Sequence, residues 1–273
     1  MKVVYLSDLH FEINGRGGIF HTNKFPSGDV LAIAGDTSPV KALQPNMQDS
    51  ASRSVRKCWD WYRANVFPMF KNVIMTFGNH EYYGSQYSES EAIIKEYFKN
   101  DNVYVAEKNH VIIDGILFIM TPLWTDFEGE NPLSMMAAHG YMSDYRLIYE
   151  FLVPYKKPIT PEFILTEHKL QKMYLLDVLR TYPGMPTYVM THHAPSYQSI
   201  HPKYRMSEAN GAYYSNLEDL VLDHPQIKFW HHGHTHNSGE YMIGDTKVIS
   251  NQCGYLGYDN FQGFDPDKFV EFH

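Results

Sequence analysis

Apolar residues in this chain come in short unbroken runs, and each run stops at a polar cluster. Five runs share this form: "KVVYLSDLH", "DVLAIAGDTS", "NVIMTFGNHE", "TYVMTHHAPS" and "IKFWHHGHTH". Each is rich in β-branched or aromatic residues and closes on turn residues, the pattern of a strand buried on both faces. Each also delivers Asp, Asn or His where the strand stops.

Helical periodicity fills the intervals. Residues 50–66, "SASRSVRKCWDWYRANV", open with serine capping candidates and stop before Pro68. Residues 88–99, "SESEAIIKEYFK", start with a serine and an acidic first turn. Residues 161–181 follow Thr160 and Pro161 and carry an apolar stripe through Leu170, Met173, Leu176 and Leu179. Two hairpins are expected, one turning at Asp114–Gly115 and one at Gly244–Asp245. Residues 124–160 mix Met, Tyr, Pro and charge without a period. They read as an insertion, a flap over one edge of a site. The alternation of strands and helices predicts an α/β fold with mixed sheets, whose ligands collect beyond the carboxyl ends of the strands.

Composition narrows the class. A chain of 273 residues that is 44% hydrophobic suits one large domain, here residues 1–273 with the flap inside it. A formal charge of −8 disfavours long nucleic acid as a partner, since that needs a basic footprint. Cys58 and Cys253 make no disulfide framework. The opening "MKVVYLSDLH" is strand-like rather than signal-like, and no apolar stretch reaches membrane-span length. These features set a cytoplasmic expectation with no membrane partner.

The polar clusters supply the chemistry. Asp8 and His10 are two apart, as are His234 and His236, and in extended chain such pairs face one side. Asp36 follows Gly35, and its two carboxylate oxygens could bridge two ions. Asn79 offers an amide oxygen and His192 ends a strand. Asp8, His10, Asp36, Asn79, His192, His234 and His236 together form an oxygen and nitrogen donor set without thiolate. Such a set suits two divalent ions of the Mn, Fe, Co, Ni or Zn kind. A pair about 3.5–4 Å apart can hold an activated water between them. His231 and His232 are expected to point into the sheet or its edge. His193 fits a substrate contact or a supporting role equally well, and Arg146, Tyr82, His168 and His201 are further candidates for substrate contact, Arg146 through a forked grip on phosphate.

"SDLH", "AGD", "GNHE", "THHAP" and "HGHTH" in this order resemble the five blocks of the calcineurin-like metallophosphoesterases. "TPLWTDF" at 121–127 and "DYRLI" at 144–148 further resemble an uncharacterised bacterial and phage subgroup. The resemblance implies a four-layer αββα sandwich of two mixed sheets flanked by helices. It implies one metal on Asp8, His10, Asp36 and His236, a second on Asp36, Asn79, His192 and His234, and His80 as a non-ligand catalytic group near the leaving group. Many members carry an Asp three residues after the bridging one to orient that histidine; here Pro39 stands there.

The implied activity is phosphate-ester hydrolysis by a metal-bridging hydroxide, with His80 donating to the departing alkoxide. A phosphodiesterase acting on a nucleotide or another small substrate leads, ahead of a phosphomonoesterase and then a nuclease. A non-catalytic scaffold of the same fold is disfavoured because all seven donors are present, and the HxHxDH motif of metallo-β-lactamases is absent.

Overall fold

The computed structural model describes residues 1–15, 27–99, 101–258 and 263–273. Among them run β1 (Lys2–Leu6), β2 (Gly28–Ala34), β3 (Phe70–Thr76), β4 (Val103–Val105), β5 (Asn109–Ile113), β6 (Ile116–Thr121), β7 (Tyr149–Phe151), β8 (Lys157–Pro158), β9 (Thr187–Thr191), β10 (Ile227–His231), β11 (Gly239–Ile243), β12 (Thr246–Ser250) and β13 (Phe269–Glu271). One sheet has the order β13-β1-β2-β3-β4, and β1 to β4 run parallel with β13 antiparallel at the edge. The other has the order β11-β12-β10-β9-β6-β5, parallel at its centre and flanked by two antiparallel hairpins. Both hairpin turns are the expected ones; Asp114 and Gly115 have φ of 47° and 81°, the mirror-image geometry that matches strand twist.

The unbroken apolar runs are explained by burial on both faces. Val3, Tyr5, Val30, Ala32 and Ile74 meet Phe118, Met120, Tyr188, Met190 and Ile249 between the two sheets. Their alternates Val4, Leu6, Leu31, Ile33, Val73 and Met75 pack instead on Val55, Trp59 and Tyr62 of the helix Ser50–Asn65. On the far side Leu117, Ile119, Val189, Trp230 and Val248 cover Leu175, Val178 and Leu179 of the helix Pro161–Thr181. The result is helix, sheet, sheet, helix: the four-layer αββα sandwich.

Two details differ from the sequence expectation. The cap of the first long helix is Asp49, whose carboxylate accepts the Ser52 N–H at 2.9 Å, rather than a serine. On the helix Pro161–Thr181 the buried face runs through Ile164, His168, Gln171, Leu175 and Val178, while Leu170 and Met173 are exposed. Two polar residues occupy the middle of that face because they have partners there. His168 Nδ1 donates to the Leu123 carbonyl at 2.9 Å, and Gln171 reaches the Tyr87 hydroxyl at 3.5 Å.

Residues 124–160 contain the helix Pro132–Tyr141, a turn at Asp144–Leu147 and the β7-β8 pair. Trp124, Ala138, Tyr145 and Ile148 are buried in the same core cluster as the helix Ser50–Asn65, so the segment packs onto the first sheet's helical layer. No helix among the described residues is long and apolar enough to cross a membrane.

Candidate metal centre

The polar clusters converge at one edge shared by both sheets. The backbone turns sharply after β1, β2 and β10: Asp8, His10, Asp36, His234 and His236 all have φ between 45° and 68°. Left-handed backbone at non-glycine residues costs energy and concentrates at functional sites. This corrects the extended geometry expected for the i, i+2 pairs. Asp8 and His10 still face one place, but His234 and His236 diverge to separate donor groups.

Those groups are Asp8, His10 and His236 on one side and Asp36, His192 and His234 on the other, with His10, Asp36 and His80 forming a third that overlaps the two. His10 Nε2 and His236 Nε2 lie 3.0 Å apart, and His236 Nε2 is 3.5 Å from Asp8 Oδ1. His192 Nε2 lies 3.2 Å from both His234 Nδ1 and the Asn79 amide oxygen. Donor atoms about 2.0–2.2 Å from a common ion stand roughly 3.0–3.5 Å from one another, so both groups fit a cation. Tautomers fit as well. His192 Nδ1 donates to the Ala34 carbonyl at 2.8 Å, leaving Nε2 as a lone pair turned into the site.

Asp36 joins the two groups through one oxygen. Its Oδ2 is 3.4 Å from His192 Nε2 and 3.8 Å from His10 Nε2. Its Oδ1 is occupied by the His80 N–H at 2.9 Å. Oδ2 thus faces both groups. Burial opposes the Asp36 charge, yet the surrounding histidines hold the carboxyl well below its ordinary range. Glycines make this closeness feasible: a Cβ on Gly78 would lie 2.1 Å from Asp36 Oδ1, and one on Gly233 2.7 Å from Asp8 Oδ2.

Three acids outside the expected set support this frame. Glu81, the last residue of "GNHE", accepts the backbone N–H groups of Asp36, Thr37, Ser38 and Gly78 at 2.6–3.3 Å, tying the β2 and β3 loops together. Burial and Asp36 push its carboxyl up to about 7, against the pull of those donors. Asp144 accepts the Asn79 side-chain N–H at 2.8 Å and so turns the amide oxygen toward His192. It comes from the "DYRLI" segment, next to Tyr141, Met142 and Ser143, which line the cavity. Glu12 lies 2.8 Å from His80 Nδ1 and 3.2 Å from His10 Nδ1. Burial works against a charge on His80, but Asp36 and Glu12 outweigh it and lift the ring to about 9. Glu12 was readable only as the second residue after "SDLH", a position with no spacing partner.

A cavity of about 480 Å³ opens over this frame. Asp36, Asn79, His80, His234 and His236 form its floor, and Tyr83, Tyr141, Tyr204, Tyr213 and Tyr255 much of its wall. The expected substrate contacts fare unevenly. His201 lines the cavity, whereas Arg146 is exposed and outside the lining, its Nη2 3.4 Å from Ser143 Oγ. Tyr82 is a correction: it is fully buried and stacked on Tyr87 at 4.4 Å, because its ring completes the core beneath the β3 loop. His168 is buried in the helix face described above. His193 is also buried, donating to the Pro122 carbonyl at 3.3 Å with its ring 4.3 Å from His234, a supporting position. His231 is buried between the sheets against Tyr5, and His232 bonds Ser199 Oγ at 2.9 Å.

Comparison with known proteins agrees with this arrangement. No curated protein matches the chain significantly. Among solved structures, phosphopantetheinyl hydrolase from Mycobacterium tuberculosis is similar at 15% identity and a TM-score of 0.65, covering 93% of this chain and 89% of that one. A dimetal phosphatase from Danio rerio is similar at 14% identity and a TM-score of 0.51, covering 94% and 88%. At such identities the likeness shows the fold. The family model described as calcineurin-like phosphoesterase matches residues 1–238, and with the buried His and Asp groups in place the chain belongs to that metal-dependent phosphoesterase family.

Proposed function

We propose that this chain is a dinuclear metal-dependent phosphodiesterase acting on a small substrate such as a nucleotide. Asp8, His10, Asp36 and His236 would hold one ion and Asp36, Asn79, His192 and His234 the other, with manganese the first candidate. When bound, such ions would supply Lewis acidity, making water a better nucleophile and offsetting charge on the phosphoryl oxygens. The chain's own residues do the rest. Asp36 Oδ2 fixes the separation of the two seats, Asn79 is aimed by Asp144, and His80 presents Nε2 to the cavity as the proton donor to the departing oxygen.

The cavity wall carries the diester reading. No Lys or Arg is among the described residues that line it, and five tyrosines are. A monoester dianion brings a second charge that calls for added cationic donors, whereas a diester brings one charge and a second substituent that needs room. Tyrosine faces suit a planar base or another aromatic group. The test is a panel of diesters, cyclic nucleotides and monoesters on the Mn²⁺-loaded protein. Diesters should exceed the matched monoesters in kcat/KM by about tenfold or more, a difference of at least ~1.4 kcal/mol in transition-state stabilisation. The reverse ranking would make it a phosphomonoesterase, and cleavage of DNA in a parallel reaction a nuclease.

A further inference from the structure

We infer that Glu12 is the residue that positions His80 for proton donation, in the role left open by Pro39. The inference rests on the phosphodiesterase reading above and deepens it. His80 needs two things to serve a departing oxygen: one ring nitrogen aimed into the cavity, and the other held so that the ring cannot turn. Nε2 meets the first need. It points toward the cavity, 3.2 Å from the Tyr255 hydroxyl and 3.9 Å from Asp36 Oδ2. Nδ1 meets the second through Glu12 Oε1 at 2.8 Å. The ring is flanked by Tyr83, 4.2 Å between centroids, which limits tilting but gives no direction.

Pro39 cannot supply this contact. It has no side-chain acceptor and sits at the start of the turn Val40–Leu43. Glu12 can, because its own place is fixed on three sides. It lies in the helical turn Phe11–Asn14 directly after His10. Phe11 is buried against Trp59 and Tyr62, with ring centroids 5.2 Å away, and its N–H donates to the Thr37 carbonyl at 2.9 Å. Asn14 donates from its amide to the Leu9 and Gly254 carbonyls at 2.9 and 2.8 Å. The side chain of Glu12 is only 19% exposed. The same oxygen lies 3.2 Å from His10 Nδ1, so one carboxylate sets the orientation of a proposed metal ligand and of the proton donor. In the reaction the proton on His80 Nε2 passes to the departing oxygen as its bond to phosphorus breaks. The ring is left neutral with Nδ1–H still on Glu12, and solvent returns the proton.

The test compares Glu12→Ala and Glu12→Gln with the parent at saturating Mn²⁺, so that a weakened metal seat stays filled. Two diesters are used, one releasing a nitrophenolate that needs no proton and one releasing an alkoxide that does. Glu12→Ala should lower kcat for the alkoxide substrate by about 10²-fold or more and for the nitrophenolate substrate by only about threefold or less. Glu12→Gln, which keeps an acceptor oxygen, should recover part of the loss. A second readout is independent of turnover: long-range ¹⁵N correlations of the His80 imidazole in the metal-free protein. Recorded in alkaline buffer, where the ring is neutral, the parent should show Nδ1–H as a single tautomer and Glu12→Ala a mixture. Equal loss on both diesters, or an unchanged His80 tautomer, would overturn the inference. If the parent turns over no diester, the phosphodiesterase reading fails by itself and the ¹⁵N result still decides the role of Glu12.

Discussion

At the scale of single residues, the centre depends on Asp36 and His80 in different ways. Asp36 Oδ2 faces both donor groups, while Oδ1 holds the His80 backbone N–H. Removing that carboxylate takes a donor from each seat and loosens the loop that carries His80. His80 faces the cavity from outside the proposed ligand sets, and its removal leaves those sets whole. Asp36→Ala should therefore lose bound metal and nearly all activity, measured by elemental analysis and initial rates. His80→Ala should keep its metal and lose about 10²–10⁴-fold in kcat on an alkoxide-releasing substrate, the range of a general acid. Equal metal loss in both variants would place His80 among the ligands.

At the scale of elements, the strands and their ends were legible in the sequence because both encode a simple pattern. Runs such as "VLAIA" are apolar throughout since each is covered on both faces, and the turn that follows must carry the polar load. The helix Pro161–Thr181 was legible in extent through Thr160 and Pro161 but not in facing. Its buried side includes His168 and Gln171, whose partners lie on other elements and leave no trace in the local period. Glu12, Glu81 and Asp144 escaped for the same reason: a carboxylate that holds loops together has no signature until the loops are placed. The connection between β4 and β5 shows a further cost of such convergence. Burial pushes the Glu107 carboxyl up to about 7 from its ordinary 4.5, and Glu91 and Glu167 add to the effect. A proton is thus held more tightly in the folded chain than in the unfolded one. Glu107 favours folding below about 4.5 and that contribution is lost as pH rises through about 7. Glu107→Gln should accordingly gain about 1–2 kcal/mol over the parent in urea unfolding at pH 8, with the difference shrinking toward pH 5. A constant difference across that range would show that the carboxyl titrates normally.

At the scale of the whole molecule, the proposed seats straddle the two sheets. Asp8, His10, Asp36, Asn79 and His80 follow β1, β2 and β3, whereas His192, His234 and His236 follow β9 and β10 of the other sheet. Direct links across this seam exist: His192 Nδ1 donates to the Ala34 carbonyl, and the His234 N–H donates to Asp8 Oδ1 at 3.0 Å. Without cations, however, the seam also encloses two buried carboxylates and ring nitrogens that face one another at 3.0–3.2 Å. A neutral ring pair can share one proton across such a gap, whereas a cation would take the lone pairs of both rings together with a carboxylate oxygen. Ion binding must therefore be coupled to the cohesion of the two halves, since ligands from both sheets meet only in the folded chain. At a hundredfold excess over Kd each ion should add about 2.7 kcal/mol to folding stability, raising Tm by roughly 5–10 °C relative to chelator-treated protein. His192→Ala, which removes a donor contributed by the second sheet, should abolish most of the rise associated with one ion and spare the other. If calorimetry finds the same Tm with Mn²⁺ and with chelator, cations do not bridge this seam, and the buried histidines must be stabilised by some other means.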